Sequence, residues 1–142
     1  MEEKVLLVDD EVDFLDTLAE RMRNRGMDVE TSTSAADAIG KTEAGDYDVV
    51  ILDLMMPGID GIQALKILKE KNPDLQVILL TGHATVQKGI EAMKLGAMDL
   101  LEKPADIEEL TARINKAQAK KMILVEKHME EKIQSILKSK SW

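Results

Sequence analysis

Three aspartates, a threonine and a lysine stand at or just behind the ends of short apolar runs. Val5–Val8 is followed by Asp9-Asp10, Val49–Leu52 by Asp53, Val77–Leu80 by Thr81, and Met98–Leu101, one residue on, by Lys103-Pro104. If the runs are strands of one parallel sheet, these five side chains gather in the crevice at its carboxyl edge, where open α/β sheets bind ligands. Three carboxylates there repel: at ~5 Å and an effective dielectric of ~20, each pair costs roughly 3 kcal/mol. A cation, or a proton on one acid, must offset that. An all-oxygen donor set of carboxylates completed by water describes Mg²⁺ better than zinc. Lys103 cannot neutralise three acids, but it can stabilise a phosphoryl group carried on one of them. Singly, each residue has an ordinary reading. Asp9 or Asp10 can cap a helix, Asp53 can precede the Pro57-Gly58 turn, and Lys103 can be a solvated lysine. Their coincidence at four strand ends points to chemistry.

The elements that must position these residues are legible from periodicity. The four runs are rich in Val, Ile and Leu without strict alternation, as in parallel strands covered on both faces. Met27–Thr31, more polar, reads as an edge strand. Between them lie helical patterns. Val12, Leu15, Leu18, Ala19 and Met22 share one face and stop at Asn24-Arg25-Gly26. Ser34 caps a segment carrying Ala35, Ala38, Ile39 and Thr42. Ile62, Leu65, Ile67 and Leu68 precede Asn72-Pro73, and Val86, Ile90, Met93 and Leu95 precede Gly96. Strand then helix, five times, predicts a doubly wound five-stranded parallel α/β sheet.

The chain has 142 residues, 44% apolar and 32% charged, with a net charge of -8. That is the composition of a globular domain, and the acidity disfavours sequence-independent binding of nucleic acid. No cysteine is present, which excludes disulfides, thiolate metal sites and cysteine nucleophiles. No run approaches the ~20 apolar residues of a membrane span. The expectation is a cytoplasmic protein with no membrane contact.

The segments VLLVDDE (5–11), DVVILDLMMPGIDG (48–61), LLTGHA (79–84) and GAMDLLEKP (96–104) together resemble the receiver domain of bacterial two-component response regulators, of the CheY-like kind. The resemblance covers about residues 3–118 and implies strand order 2-1-3-4-5. It implies that Asp53 is the phosphorylation site, taking a phosphoryl group from a histidine kinase or phosphotransfer protein. Asp10 and Asp53 would bind Mg²⁺ directly with the backbone carbonyl of Met55, Asp9 acting through water. Thr81 would bind the phosphoryl group, Lys103 would pair with it, and the Lys103-Pro104 bond would be cis. Chemistry is then confined to self-phosphorylation and autodephosphorylation at Asp53. One position departs from the family: Leu100 stands where Tyr or Phe is usual, which removes an aromatic readout. Met55 and His83 flank the site, and His83 has no companion His or Cys ligand.

The division expected is a receiver over 1–118 and a helical extension over 119–142. Asp106 and Glu109 form a capping box, and no Gly or Pro occurs from Ala105 to Trp142. One helix from about Asp106 to Ser139 would place Ile107, Leu110, Ile114 and Ala117 on the sheet. A second stripe, Met122, Val125, Met129, Ile133 and Ile136, is broadened by Ile123, Leu124 and Leu137. It has no evident internal partner, and the register shifts at Lys120-Lys121. A homodimer through this helix is expected; a partner helix, or folding back on the receiver, are the alternatives. Three functional readings follow. The first is a stand-alone phosphorelay response regulator that switches protein contacts. The second is the receiver and linker of a longer DNA-binding or ATPase-type transcription regulator. The third is a small aspartate-nucleophile phosphatase, which usually has a second acid two residues on, where this chain has Met55.

Overall fold

The structure, a computed structural model, describes residues 2–56, 58, 61–82 and 86–139; His83 and Trp142 lie outside them. Strands and helices alternate along these residues: β1 (Lys4–Val8), α1 (Val12–Arg23), β2 (Asp28–Ser32), α2 (Ala35–Ala44), β3 (Val49–Leu52), α3 (Gly61–Lys71), β4 (Gln76–Thr81), α4 (Val86–Lys94), β5 (Asp99–Glu102) and α5 (Ile107–Ser139). The strands form one parallel sheet in the order β2-β1-β3-β4-β5. The polar second strand is an edge, and the chain reverses direction of winding between β1 and β3.

Side chains alternate across a strand, so each apolar run feeds two cores. Leu6, Val8, Val50, Leu52, Val77 and Leu79 face Ala35, Ala38, Leu65 and Leu68 of α2 and α3. Val5, Leu7, Val49, Ile51, Ile78 and Leu80 face Leu15, Met22, Leu110 and Ile114 of α1 and α5. Ser34 caps α2 by accepting from the N–H of Asp37 (3.1 Å). Gly26 and Gly96 follow α1 and α4 with φ of 89° and 106°, a conformation that closes helices at little cost only in glycine.

Two helix faces differ from the periodicity. Val12, the first residue of α1, is exposed, and the buried face of the helix begins at Leu15. In α4 the inward residues are Gly89 and Ala92, while Ile90, Met93 and Leu95 are exposed. The physical reason is proximity: a Cβ on Gly89 would lie 2.7 and 2.8 Å from the two Cδ atoms of Leu100. The tip of the Leu100 side chain occupies the space a side chain at 89 would need, so Gly89 and Ala92 face inward here.

The fifth helix is continuous through Ser139. Asp106 accepts from the N–H of Glu108 (3.0 Å), but the other half of the expected capping box is spent elsewhere, Glu109 reaching Arg113. Leu110, Ile114 and Ala117 are fully buried against the sheet. The stripe does not stop there: Lys121 is its last member, only 9% exposed. Its Nζ donates to Asp46 Oδ1 and the Tyr47 carbonyl, each at 2.8 Å. About two turns beyond, His128 Nδ1 lies 2.8 Å from Asp74 Oδ2. These contacts seat the helix on the loops that precede β3 and β4. Lys121→Met, which keeps the apolar stem and removes the donor, is expected to lower stability by about 1–2 kcal/mol in denaturant unfolding. Hydrogen exchange over 119–128 should rise with it, and unchanged protection there would contradict the clasp.

Candidate functional site

Thr81 ends β4, and Asp9, Asp53 and Lys103 sit just past their strands, where the ladder continues far enough to hold their backbone. Asp9 donates its N–H to Ser32 O (3.0 Å), Asp53 to Val8 O (3.1 Å), and Lys103 to Thr81 O (2.8 Å). Leu52 stands opposite Leu79, so Asp53 and Thr81 leave adjacent strands within one residue of the same level. Thr81 is fully buried, and Asp9 and Asp53 are 1% and 4% exposed.

The two buried acids share a local geometry. In Asp9, Oδ1 accepts from the N–H of Glu11 (2.9 Å); in Asp53, Oδ1 accepts from the N–H of Met55 (3.0 Å). Such Asx turns fix the carboxylate to its own backbone and leave Oδ2 to face Lys103. The Lys103 ammonium lies 2.7 Å from Asp9 Oδ2, 3.3 Å from Asp53 Oδ2 and 3.3 Å from Glu11 Oε1. It also sits 4.5 Å from the centroid of the Phe14 ring, a stabilising placement for a cation. The Lys103-Pro104 peptide is cis.

Asp9, Asp10 and Asp53 can each offer a carboxylate oxygen, all within 4.8 Å of one another. Burial and the crowding of like charges shift the groups of this site. Burial is the main cause pushing the Asp53 carboxyl above its usual range; the Met55 N–H opposes it, Asp9 adds to it and Lys103 opposes it. For Lys103, burial alone would lower the pKa, but the hydrogen bond to Asp9 and the fields of Asp53 and Asp9 outweigh it and raise it. The result is a fully charged lysine beside an acid that resists ionisation. A divalent cation among oxygen ligands relieves that resistance, so the donor set fits Mg²⁺.

The response regulator receiver domain family matches residues 5–115 of this chain. The chain is a receiver domain of the two-component response regulators. Its relatives are regulators: it is 36% identical over 107 residues to the photosynthetic apparatus regulatory protein RegA of Cereibacter sphaeroides, covering 75% of this chain and 58% of RegA. It is 35% identical over 115 residues to the transcriptional regulatory protein ZraR of Escherichia coli, covering 81% of this chain and 26% of ZraR. It therefore spans little more than half of one relative and a quarter of the other. The crystal structure of a receiver domain protein from Clostridium thermocellum superposes with a TM-score of 0.80 at 35% identity, covering 86% of this chain and 98% of that one. This membership does not favour the phosphatase reading.

In the receiver, sequence reasoning found the three aspartates, Thr81 and Lys103, and the fold brings them to one edge of the sheet. It missed Glu11 and Phe14, which contact the lysine. The available signal was their place at the start of α1, directly after the aspartate pair, where the helix overhangs the crevice. Met55 is half-exposed beside the site. His83 lies outside the described residues.

Proposed function

We propose that Asp53 is the phosphoacceptor of a phosphorelay response regulator. A histidine kinase, or a histidine phosphotransfer protein, presents phosphohistidine. The P–N bond breaks as a bond forms from an Asp53 carboxylate oxygen to phosphorus, and the imidazole leaves. What carries this reading is the convergence of three carboxylates within 4.8 Å with Lys103 at 3.3 Å from Asp53. Asp10, Asp53 and the Met55 carbonyl would hold Mg²⁺, with Asp9 acting through water; the bound ion supplies charge neutralisation, which phosphoryl transfer needs more than covalent help. Lys103 pairs with a phosphoryl oxygen, and Thr81 binds another. The only turnover is autodephosphorylation. With Leu100 in place of an aromatic ring, its close packing on Gly89 would couple β5 to α4, so helix packing rather than a ring rotation would report the phosphorylated state.

The receiver would act in the cytoplasm through protein contacts, without binding nucleic acid itself. Among the described residues no helix is long and apolar enough to cross a membrane. Residues 119–142 would serve as a dimerisation extension of the receiver over 1–118, pairing with a second copy along its exposed apolar stripe. A second reading, receiver and linker of a longer transcription regulator, is favoured by the small share of RegA and ZraR that the chain covers.

Intact mass after incubation with acetyl phosphate and Mg²⁺ tests the assignment. One phosphoryl adduct is expected on the wild type and none on Asp53→Asn. Equal labelling of the two, or labelling that survives removal of divalent ions undiminished, would refute it.

A further inference from the structure

We infer that Phe14 is a positioning residue for phosphoryl transfer at Asp53, its ring face holding the Lys103 ammonium where a phosphoryl oxygen will meet it; this rests on the reading of Asp53 as the phosphoacceptor. Lysine carries its charge on a flexible four-carbon stem with three N–H donors. Here the ammonium has three carboxylate neighbours, Asp9, Asp53 and Glu11, and the centroid of the Phe14 ring lies 4.5 Å from it. Phe14 is the only phenylalanine in the chain. It stands in the first turn of α1, three residues after the N-cap Glu11, a spacing that puts both side chains on one face of the helix. It is partly buried and packs against the core of α1, α5 and the sheet, so the fold fixes the ring whether or not the lysine is there.

The holds on the lysine differ in what they survive. Asp53 gives up a carboxylate oxygen to the new bond when it is phosphorylated. Asp9 belongs to the acid cluster that fits a cation, and a bound cation competes for its charge. Glu11 is 67% exposed, and water competes for its oxygen. The ring neither titrates nor ligates a metal. It attracts the ammonium through the negative face of its quadrupole, without taking an N–H away from an oxygen. The ring therefore keeps the lysine beside Asp53 while one donor passes to the phosphoryl group. Leucine would fill the space without the negative face, and would leave the charged stem free to follow Asp9 or Glu11.

Phe14→Leu and Phe14→Tyr in the full chain, checked for folding by circular dichroism, separate the ring from its bulk. With acetyl phosphate and Mg²⁺, Phe14→Leu is expected to label about 3- to 10-fold more slowly than the wild type, the worth of one cation–π contact. Phe14→Tyr, which keeps the ring, should label at close to the wild-type rate. Because the ring acts on the lysine, Phe14→Leu should lower the unfolding midpoint in a chelating buffer less in a Lys103→Met background than in the wild type. Labelling of Phe14→Leu at the wild-type rate overturns the proposal, as does equal slowing by tyrosine and leucine. An equal midpoint loss in both backgrounds gives Phe14 a packing role alone and overturns it too. Each of these results leaves Asp53 as the phosphoacceptor. No adduct on the wild type overturns that reading, and the proposal with it.

Discussion

Lys103→Met is expected to destabilise the metal-free receiver by about 3 kcal/mol, and Mg²⁺ should restore much of the loss. Removing one member of a buried ion pair costs roughly 3–5 kcal/mol; the low end applies because an orphaned acid can take up a proton instead. Lys103 is the cation held between Asp9 and Asp53, and nothing in a methionine replaces it. The sign of the pH dependence follows from the shifts. The folded chain holds the Asp53 proton more tightly than the unfolded chain does, since burial raises its pKa. The stability tied to that proton is full below the ordinary carboxylate range and is lost as pH rises through the raised folded value. Lys103 is shifted upward too, so its contribution persists through neutrality and fades only in strong alkali. Without the lysine, its two downward effects on Asp53 vanish and the acid titrates higher still. Denaturant unfolding in a chelating buffer, followed upward in pH from the ordinary carboxylate range, should therefore show a steeper fall in Lys103→Met than in the wild type. Asp53→Asn should instead stabilise the metal-free chain near neutrality, because it removes the charge that burial opposes. A Lys103→Met variant as stable as the wild type at every pH, with or without Mg²⁺, would contradict this account of the site's electrostatics.

Gly61→Ala is expected to damage both the fold and the phosphoacceptor. A Cβ at Gly61 would lie 2.7 Å from Leu54 Cα and 2.8 Å from Leu54 O. These are backbone atoms of the residue next to Asp53, and they cannot rotate away as a side-chain tip can. Overpacking of this kind costs about 1–3 kcal/mol. The helix-propensity gain of alanine does little to offset it at the first residue of α3. Shifting Leu54 also shifts the Asx turn that aims Asp53 at Lys103, and a misplacement near an ångström can slow a reaction on the order of 100-fold. The comparison variant is Gly40→Ala, inside α2, where a Cβ meets nothing within 4 Å. It should stabilise by up to about 1 kcal/mol and label with acetyl phosphate at the wild-type rate. Unfolding midpoints and single-turnover labelling of the two variants would separate a clash at this position from a general effect of losing a glycine.

The residues explain why some features could be read in advance and others could not. Apolar runs ending in Asp, Asp, Thr and Lys state both the strands and the edge of the sheet that carries chemistry, because strand direction and the βαβ handedness rule leave few alternatives. Helix faces were legible where the helix lies flat over the sheet, as in α1 from Leu15 onward. They were misread in α4, where apolarity marked Ile90 and Met93 but closeness to Leu100 selected Gly89 and Ala92. Lys121 was read as an interruption of a pattern because lysine is almost never buried unless paired. Its partners, Asp46 and the Tyr47 carbonyl, lie 75 and 74 residues earlier in the chain.

By itself, then, the sequence determined the order of elements, the parallel sheet and the identity of Asp9, Asp10, Asp53, Thr81 and Lys103 as a group. Those properties reside in local patterning and in what directly follows each strand. Only the tertiary structure decided which oxygen of each aspartate faces the lysine, that Glu11 and Phe14 enclose it, and that Lys121 seats the long helix on the receiver. The physical reason is distance along the chain. These are contacts between segments far apart in sequence, set by how closely backbones approach, and a pattern with a period of two or 3.6 residues carries no record of that approach.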